Sequence, residues 1–307
     1  MMRRLLVLLS LLVLAAVQPA HSAPLKLGVL PAADTIVLHV AADEGLFAKQ
    51  GLEVELVPFQ SALELGAAMR AGALSGHFGD IINVLMQNES GSPQAIVATT
   101  SHSSPDNRCF GLVVSPKSKA QTLADLKGKD SATIIDFLLA QLLQQEGAAP
   151  DFLNRQDIRQ IPVRLQMLLS GQIESALLPE PLVSLVEAKG ARTILNDCKL
   201  NTPLAVIALK RDVLDAPDGA QTVAKFREAL REAAKRINET PDAYRPIMEA
   251  KGLLPKGASA NYTMVRFDMT HTPTGLPSEA DIKTFADWMK ANRILKKDPA
   301  YGDVVFQ

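Results

Sequence analysis

The stretch Ala68–Asp80, AMRAGALSGHFGD, constrains the fold of this chain most, because it is echoed at Met167–Pro179, MLLSGQIESALLP. With Gly72 set on Gly171, Met69 falls on Leu168, Leu74 on Ile173 and Phe78 on Leu177. Each copy reads as a helix closing on a left-handed glycine, then a short apolar strand, then a polar junction at Asp80 or Pro179. Ligands of open α/β sheets sit beyond the carboxyl ends of the strands, so both junctions point to where a ligand would be. Two such units about a hundred residues apart predict two similar lobes, each offering a loop to a shared cleft.

The amino terminus reads differently. Arg3 and Arg4 precede the apolar run Leu5–Val17, and Gln18–Ala23 (QPAHSA) adds a proline break and small residues. This is the layout of a secretory signal peptide over residues 1–22, cut after Ser22 or Ala23. A membrane anchor would need about 18–20 apolar residues, and this run is shorter. No second apolar span follows, so a soluble secreted protein is expected, in an oxidising compartment. With 307 residues, 47% apolar and a net charge of −1, the chain can bury a full two-lobed core. It has no basic run to hold nucleic acid. Nucleophile elbows, phosphate loops, dinucleotide fingerprints and metal-ligand pairs are missing, so no cofactor, no metal and no catalysis are expected.

Taken in order, Leu25–Leu30 is a strand ending in the loop Pro31–Asp34, and Thr35–Glu44 has helical apolar spacing. Val54–Leu56 is a strand, and Ser61 with Glu64 can form a capping box for the helix Ala62–Ala71. Asp80 opens Ile81–Gln87, and the strand Ala95–Thr99 ends in Thr99–Ser101. Arg108–Ser115 is a strand leaving this lobe, Ser131–Gln145 is helical, Ile158–Ile161 is strand-like, and Leu204–Leu209 is a strand that can run back. Crossings near Asn107 and Asp197–Pro203 imply that the second lobe is inserted into the first. The expected division is 23–106 plus 210–307 for lobe 1 and 107–209 for lobe 2. Cys109 and Cys198, the only cysteines, each lie at one crossing and are expected to form a disulfide.

At EGLFAKQGLEVEL (Glu44–Leu56) the chain resembles periplasmic substrate-binding proteins of ABC importers, in the branch that binds nitrate, sulfonates, taurine and thiamine precursors. AGALSGHFGD, LADLKGK (Leu123–Lys129) and RLQMLLSGQIESALLPEPL (Arg164–Leu182) follow in that family's order. The resemblance covers roughly Leu25 to Leu295. It implies a type II periplasmic-binding-protein-like α/β fold, with a mixed sheet flanked by helices in each lobe and the second lobe inserted into the first. It also implies a small-molecule ligand, delivery to an ABC permease in the inner membrane, and a monomer. A periplasmic sensing module and an enzyme on the same fold, for pyrimidine synthesis or chorismate-derived chemistry, are the alternatives. In one respect the chain departs from the pattern. Lys129 runs straight through Asp130–Thr133 into an apolar segment read as helix, so a strand central to the second sheet is expected to be missing.

Strand-end loops nominate Ala33, Asp34, Ser61, Asp80, Thr100, Ser131, Thr133 and Glu180 as ligand contacts. Asp80 can equally be a helix cap, and Glu180, between two prolines, a rigid turn. Arg70, Arg108 and Arg164 read as solvated surface charges. His39 and His77 read as structural, and His102 is the histidine to test. Tyrosine and tryptophan begin only at Tyr244, leaving Phe59, Phe78 and Phe110 to stack on a ligand.

Overall fold

A computed structural model describes residues 24–105, 107–133, 136–158, 160–254 and 262–307. The expected leader lies outside the described residues, as does Ile134–Ile135 of the expected helix. Two five-stranded sheets organise the chain. The first is built from β1 (Leu25–Val29), β2 (Val54–Pro58), β3 (Gly76–Gly79), β4 (Gln94–His102) and, from far downstream, β10 (Pro203–Lys210). The second holds β5 (Phe110–Val114), β6 (Asp130–Thr133), β7 (Asn154–Asp157), β8 (Ser175–Pro179) and β9 (Arg192–Asn196).

The two sheets share one plan. Their orders are β2-β1-β3-β10-β4 and β7-β6-β8-β5-β9. In the first, β1 is parallel to β2 and β3, and β10 is antiparallel to β3 and β4. In the second, β6 is parallel to β7 and β8, and β5 is antiparallel to β8 and β9. The strand that crosses out and the strand that returns therefore hold equivalent places. Register agrees as well. Leu27 faces Gly76 and Gly28 faces His77, as Ser131 faces Ser175 and Ala132 faces Ala176. The two helices of the repeat, Ala62–Arg70 and Ile161–Ser170, run into glycines with φ of +74° at Gly72 and +76° at Gly171. Only glycine takes that conformation without strain. Gly76 is needed for another reason: a Cβ there would collide with the Ala208 carbonyl of β10.

Three expectations are corrected. The strand thought missing is present as β6, bonded between β7 and β8 in the middle of its sheet. It is four residues, DSAT, and Ser131, Ala132 and Thr133 are buried. Small side chains let the flanking layers close over it without a long apolar run. The return strand Pro203–Lys210 belongs to the first sheet, not to the inserted lobe, because its backbone pairs with β3 and β4. Cys109 and Cys198 are thiols, not a disulfide. Cys109 is taken up instead by Ser101, whose hydroxyl lies 3.2 Å from Sγ. A smaller difference concerns β7, which precedes the expected Ile158–Ile161 and is the polar run NRQD at a sheet edge.

Each lobe buries its own helices. Phe47 stacks on Phe226 of the helix Gly219–Glu239, with ring centroids 5.2 Å apart, beside buried Val223, Leu230 and Ile237. In the second lobe Leu138, Leu139, Leu142 and Leu143 of the helix Asp136–Gln145 pack against Leu112, Val114 and Leu177. That helix also reaches across. Phe137 enters the first lobe's cluster with Ile81, Val84 and Leu85. Among the described residues no helix is long and apolar enough to cross a membrane.

Candidate functional site

The loop after β1 becomes a short 3-10 turn, Ala33–Thr35, which buries Ala33 and carries Asp34 beside β4. Thr100 of β4 donates its hydroxyl to Asp34 Oδ2 at 2.5 Å. Asp34 keeps some contact with solvent, yet the protein atoms crowded around its carboxyl group strip most of its hydration. That desolvation pushes it up to about 6, against the lowering effect of the Thr100 bond. A crowded carboxyl group that water still reaches is what the floor of a narrow cleft provides.

The other wall begins at Glu180, directly after β8. Arg108, at the outgoing crossing, clamps it: Nη2 lies 2.6 Å from Glu180 Oε1 and 2.9 Å from Glu187 Oε2, and Nη1 donates to Glu187 Oε1 at 3.0 Å. Glu180 Oε2 also accepts the Ser184 amide at 3.1 Å. Burial works to raise Glu187, but bonds from Arg108 and from Thr193 hold it below the usual range. Asp197, fully buried at the return crossing, accepts the amides of Cys109 and Phe110 at 3.0 and 3.1 Å. Its burial pushes it up to about 6. Burial first, and then the Asp197 charge, push the Cys109 thiol well up, so it is a packing and hydrogen-bonding group rather than a nucleophile.

Tyr262 is buried near both walls. Only 4% exposed, its phenol is raised by burial and then by the charges of Glu180, Asp34 and Cys109. One ring thus feels the first lobe, the second lobe and the crossing at once. The sequence pointed away from it, since tyrosines cluster late in the chain and Tyr262 lies in no helix or strand.

The other nominated residues are placed as follows. Ser61 caps the helix Ala62–Arg70 by accepting the Glu64 amide at 3.3 Å, while Glu64 reaches back to the Gln60 amide. Asp80 caps Ile81–Glu89, its Oδ1 accepting Asn83 N at 2.7 Å and Asn83 Nδ2 at 3.1 Å. Ser131 and Thr133 are buried in β6, and Ser131 Oγ has no hydrogen-bond partner among the described residues. Asp34, Thr100 and Glu180 are the nominated residues that lie by the crossings: Thr100 bonds Asp34, and Glu180 is bonded by Arg108 and donates its amide to Cys109 O. Asp80→Ala is expected to cost about 1 kcal/mol of stability in a urea titration, the usual worth of such a cap. Lost ligand affinity at unchanged stability would return Asp80 to the cleft wall.

Two arginines differ from expectation. Arg108 is half-buried between its carboxylates. Arg164, expected on the surface, is 1% exposed. It stands in the first turn of Ile161–Ser170 and donates Nε to Ile158 O at 3.1 Å and Nη1 to Leu177 O at 3.4 Å. Burial lowers it to about 10, although the Asp157 charge opposes the shift. Arg70 is exposed, as expected.

A separate cavity of about 280 Å³ lies beside β4, lined by Thr99, His102, Asn201, Pro203 and His271 among others. His102 stacks on His271 with centroids 4.4 Å apart, and its Nδ1 lies 2.9 Å from Ser103 O. Neither Asp34 nor Thr100 lines it, so this cavity and the Asp34 site are distinct. The cleft is the better candidate because strand-end loops of both sheets and both crossings meet there, whereas the cavity draws only on the first lobe and the crossings.

The chain matches the family model described as NMT1/THI5 like over residues 32–244. No match was found among curated proteins. Among solved structures it is similar to the alkanesulfonate-binding protein SsuA of Xanthomonas axonopodis pv. citri bound to MOPS, with TM-score 0.74 and 20% identity over 93% of this chain and 98% of that one. It is also similar to the periplasmic aliphatic sulphonate binding protein SsuA of Escherichia coli, with TM-score 0.75 and 17% identity over 93% and 92%. A ligand binding component of an ABC-type import system from Staphylococcus aureus, with zinc bound, gives TM-score 0.69 at 17% identity over 93% and 97%. At such identities the likeness is one of fold. The paired sheets are the two-lobed periplasmic-binding-protein architecture, and the chain belongs to the NMT1/THI5-like family.

Proposed function

We propose that this protein is a periplasmic solute receptor that captures a small molecule between its lobes and delivers it to an ABC permease in the inner membrane. The observation that carries this reading is the doubled sheet plan, joined by two crossings, with Asp34, Thr100, Glu180 and Tyr262 gathered where the strand ends meet. Such a plan lets two rigid bodies rotate about the crossings, and a ligand favours closure by its differential affinity for the closed form. Sulfonate-binding proteins and an import-system component with this fold support the same reading. Residues 1–22 act as the export signal. The lobes run as 23–106 with 203–307, and 107–202 between the crossings. The receptor works as a monomer, without catalysis.

A thermal-shift screen over amino acids, sulfonates, nitrate, pyrimidines and polyamines tests this. A cognate solute at a hundredfold over its Kd should stabilise the protein by about 2.7 kcal/mol, with one site per chain in calorimetry. A protein that no solute of these classes stabilises is not such a receptor.

A further inference from the structure

His102 is the last residue of β4, and its backbone pairs with Pro203 at the start of the return strand. One residue further on, the two crossings are tied to each other. Ser103 donates its amide to Thr202 O at 3.0 Å, and Ser103 Oγ accepts the Thr202 amide at 3.1 Å. Asn107 Nδ2 turns back to His102 O at 3.1 Å. His102 therefore stands where the chain leaves the first lobe and where it comes back.

Its ring is held from two sides. Nδ1 lies 2.9 Å from Ser103 O, and a carbonyl can only accept, so the neutral ring carries its proton on Nδ1. His271 lies face to face with it, with 4.4 Å between centroids and 21° between planes. One carboxylate fixes the turn that presents His271. Asp268 Oδ1 accepts the amides of Thr270, His271 and Thr272 at 3.0, 2.6 and 3.1 Å, and Oδ2 lies 2.7 Å from His271 Nδ1. Burial works to raise Asp268, but these bonds hold it below the usual range, so it stays charged beside the ring. The stack thus fastens the crossings to a well-bonded turn of the first lobe.

A proton on His102 opposes this arrangement. A charged His271 has Asp268 to pair with, whereas a charged His102 is only 9% exposed and faces that second cation across the stack. Among the described residues the charged groups that act on His102 are His271, Asp268 and Asp281. Desolvation first, and then the His271 charge, lower it, against the Ser103 carbonyl and the two carboxylates. A value below the ordinary 6.5 means that the ring binds its proton more tightly out in water. The stacked form is therefore favoured in full above that pH and loses its advantage as pH falls below it. We propose that the His102–His271 stack is an acid-released pin on the hinge: neutral, it holds both crossings against the first lobe, and protonated, it frees them, so that the lobes turn about them more loosely. This adds a control to the receptor reading above and rests on its hinge, but it is tested without a solute, so the two can fail separately.

The test is residue-resolved amide hydrogen exchange on the purified protein, corrected for intrinsic rates, beside an imidazole titration by NMR. The amides of Ser103, Asn107 and Thr202 should exchange at least about tenfold faster at about pH 5 than at about pH 7.5, while those of β1 and β6 change less than about twofold. His102→Phe keeps a flat ring on His271 and takes no proton, so its crossing amides should change less than about twofold over the same range. Should that variant fail to fold, His271→Phe removes the opposing charge instead and should cut the acid effect at least about threefold. Asp34 and Asp197, which burial pushes up to about 6, also titrate in this range. An undiminished acid effect in either folded variant assigns the loosening to such groups and overturns the inference. So does a wild-type protein whose crossings exchange alike at both pH values. If neither variant folds, the wild-type titration decides: crossing amides that loosen in step with the His102 imidazole support the pin, and amides out of step with it end the idea.

Discussion

Replacing Phe137 by alanine should lower stability by about 3–5 kcal/mol, the usual cost of emptying a buried phenylalanine site. Phe137 is 1% exposed, and its ring lies 4.0 Å from that of Phe285 in a stacked pair and 5.6 Å from Trp288 edge-on. Both partners lie on the helix Glu279–Ala291, which packs with Ile81–Glu89 of the first lobe. The helix that carries Phe137 is otherwise bound to the second lobe through its leucines. The contact therefore couples the lobes, and its loss is felt twice. Denaturant unfolding should move to lower concentration, and the relation between the lobes should loosen, which weakens any ligand that needs both walls. A double-mutant cycle with Phe285→Ala isolates the pair, and a coupling of about 0.5–1.5 kcal/mol is expected for stacked rings beyond their buried area. A Phe137→Ala protein within about 1 kcal/mol of wild type, with additive effects at Phe285, would show that the ring bridges nothing.

The parts of the fold that a reader of the sequence could see are those set by local chemistry. Gly72 and Gly171 announce helix ends because the chain needs φ above zero there, and Leu74–Phe78 and Ile173–Leu177 alternate or run apolar as strands do. Ser278, three residues before Asp281, has the local spacing of a capping box, and the reciprocal box forms. What escaped was set by distant partners. β6 is a strand because β7 and β8 offer backbone on both sides, not because DSAT is apolar. Arg108 resembled a surface charge because its carboxylates lie 72 and 79 residues away. Arg164 could be suspected only by comparing the two repeats and asking why one has leucine. The site was half legible. Strand-end logic found Asp34, Thr100 and Glu180, since topology fixes where strands end, but it could not find Tyr262, which an irregular segment brings to the same place.

Asp34→Asn should make the ligand-free protein more stable at neutral pH, by about 1–3 kcal/mol. The carboxyl group is raised from 3.8 to about 6 on folding, chiefly by desolvation. A raised folded value means that the folded state holds its proton more tightly than the unfolded chain does. The stability this contributes is fully present below about pH 3.8 and is lost as pH rises through about 6. At 1.36 kcal/mol for each unit, the full difference is about 3 kcal/mol, less what the solvent still touching Asp34 screens and what the new amide N–H groups cost if unpaired. Asp197 is raised to about 6 by the same cause and should remain in the variant as a second source of the same slope. The measurement is ΔG of unfolding from pH 4 to 7 for wild type and Asp34→Asn. The two should nearly coincide near pH 4 and separate steadily up to pH 7, with the variant the more stable. Parallel curves would mean that Asp34 titrates alike in both states and is not held desolvated. A variant less stable at pH 7 would mean that the Thr100–Asp34 bond, and not an unmet charge, is what the position supplies.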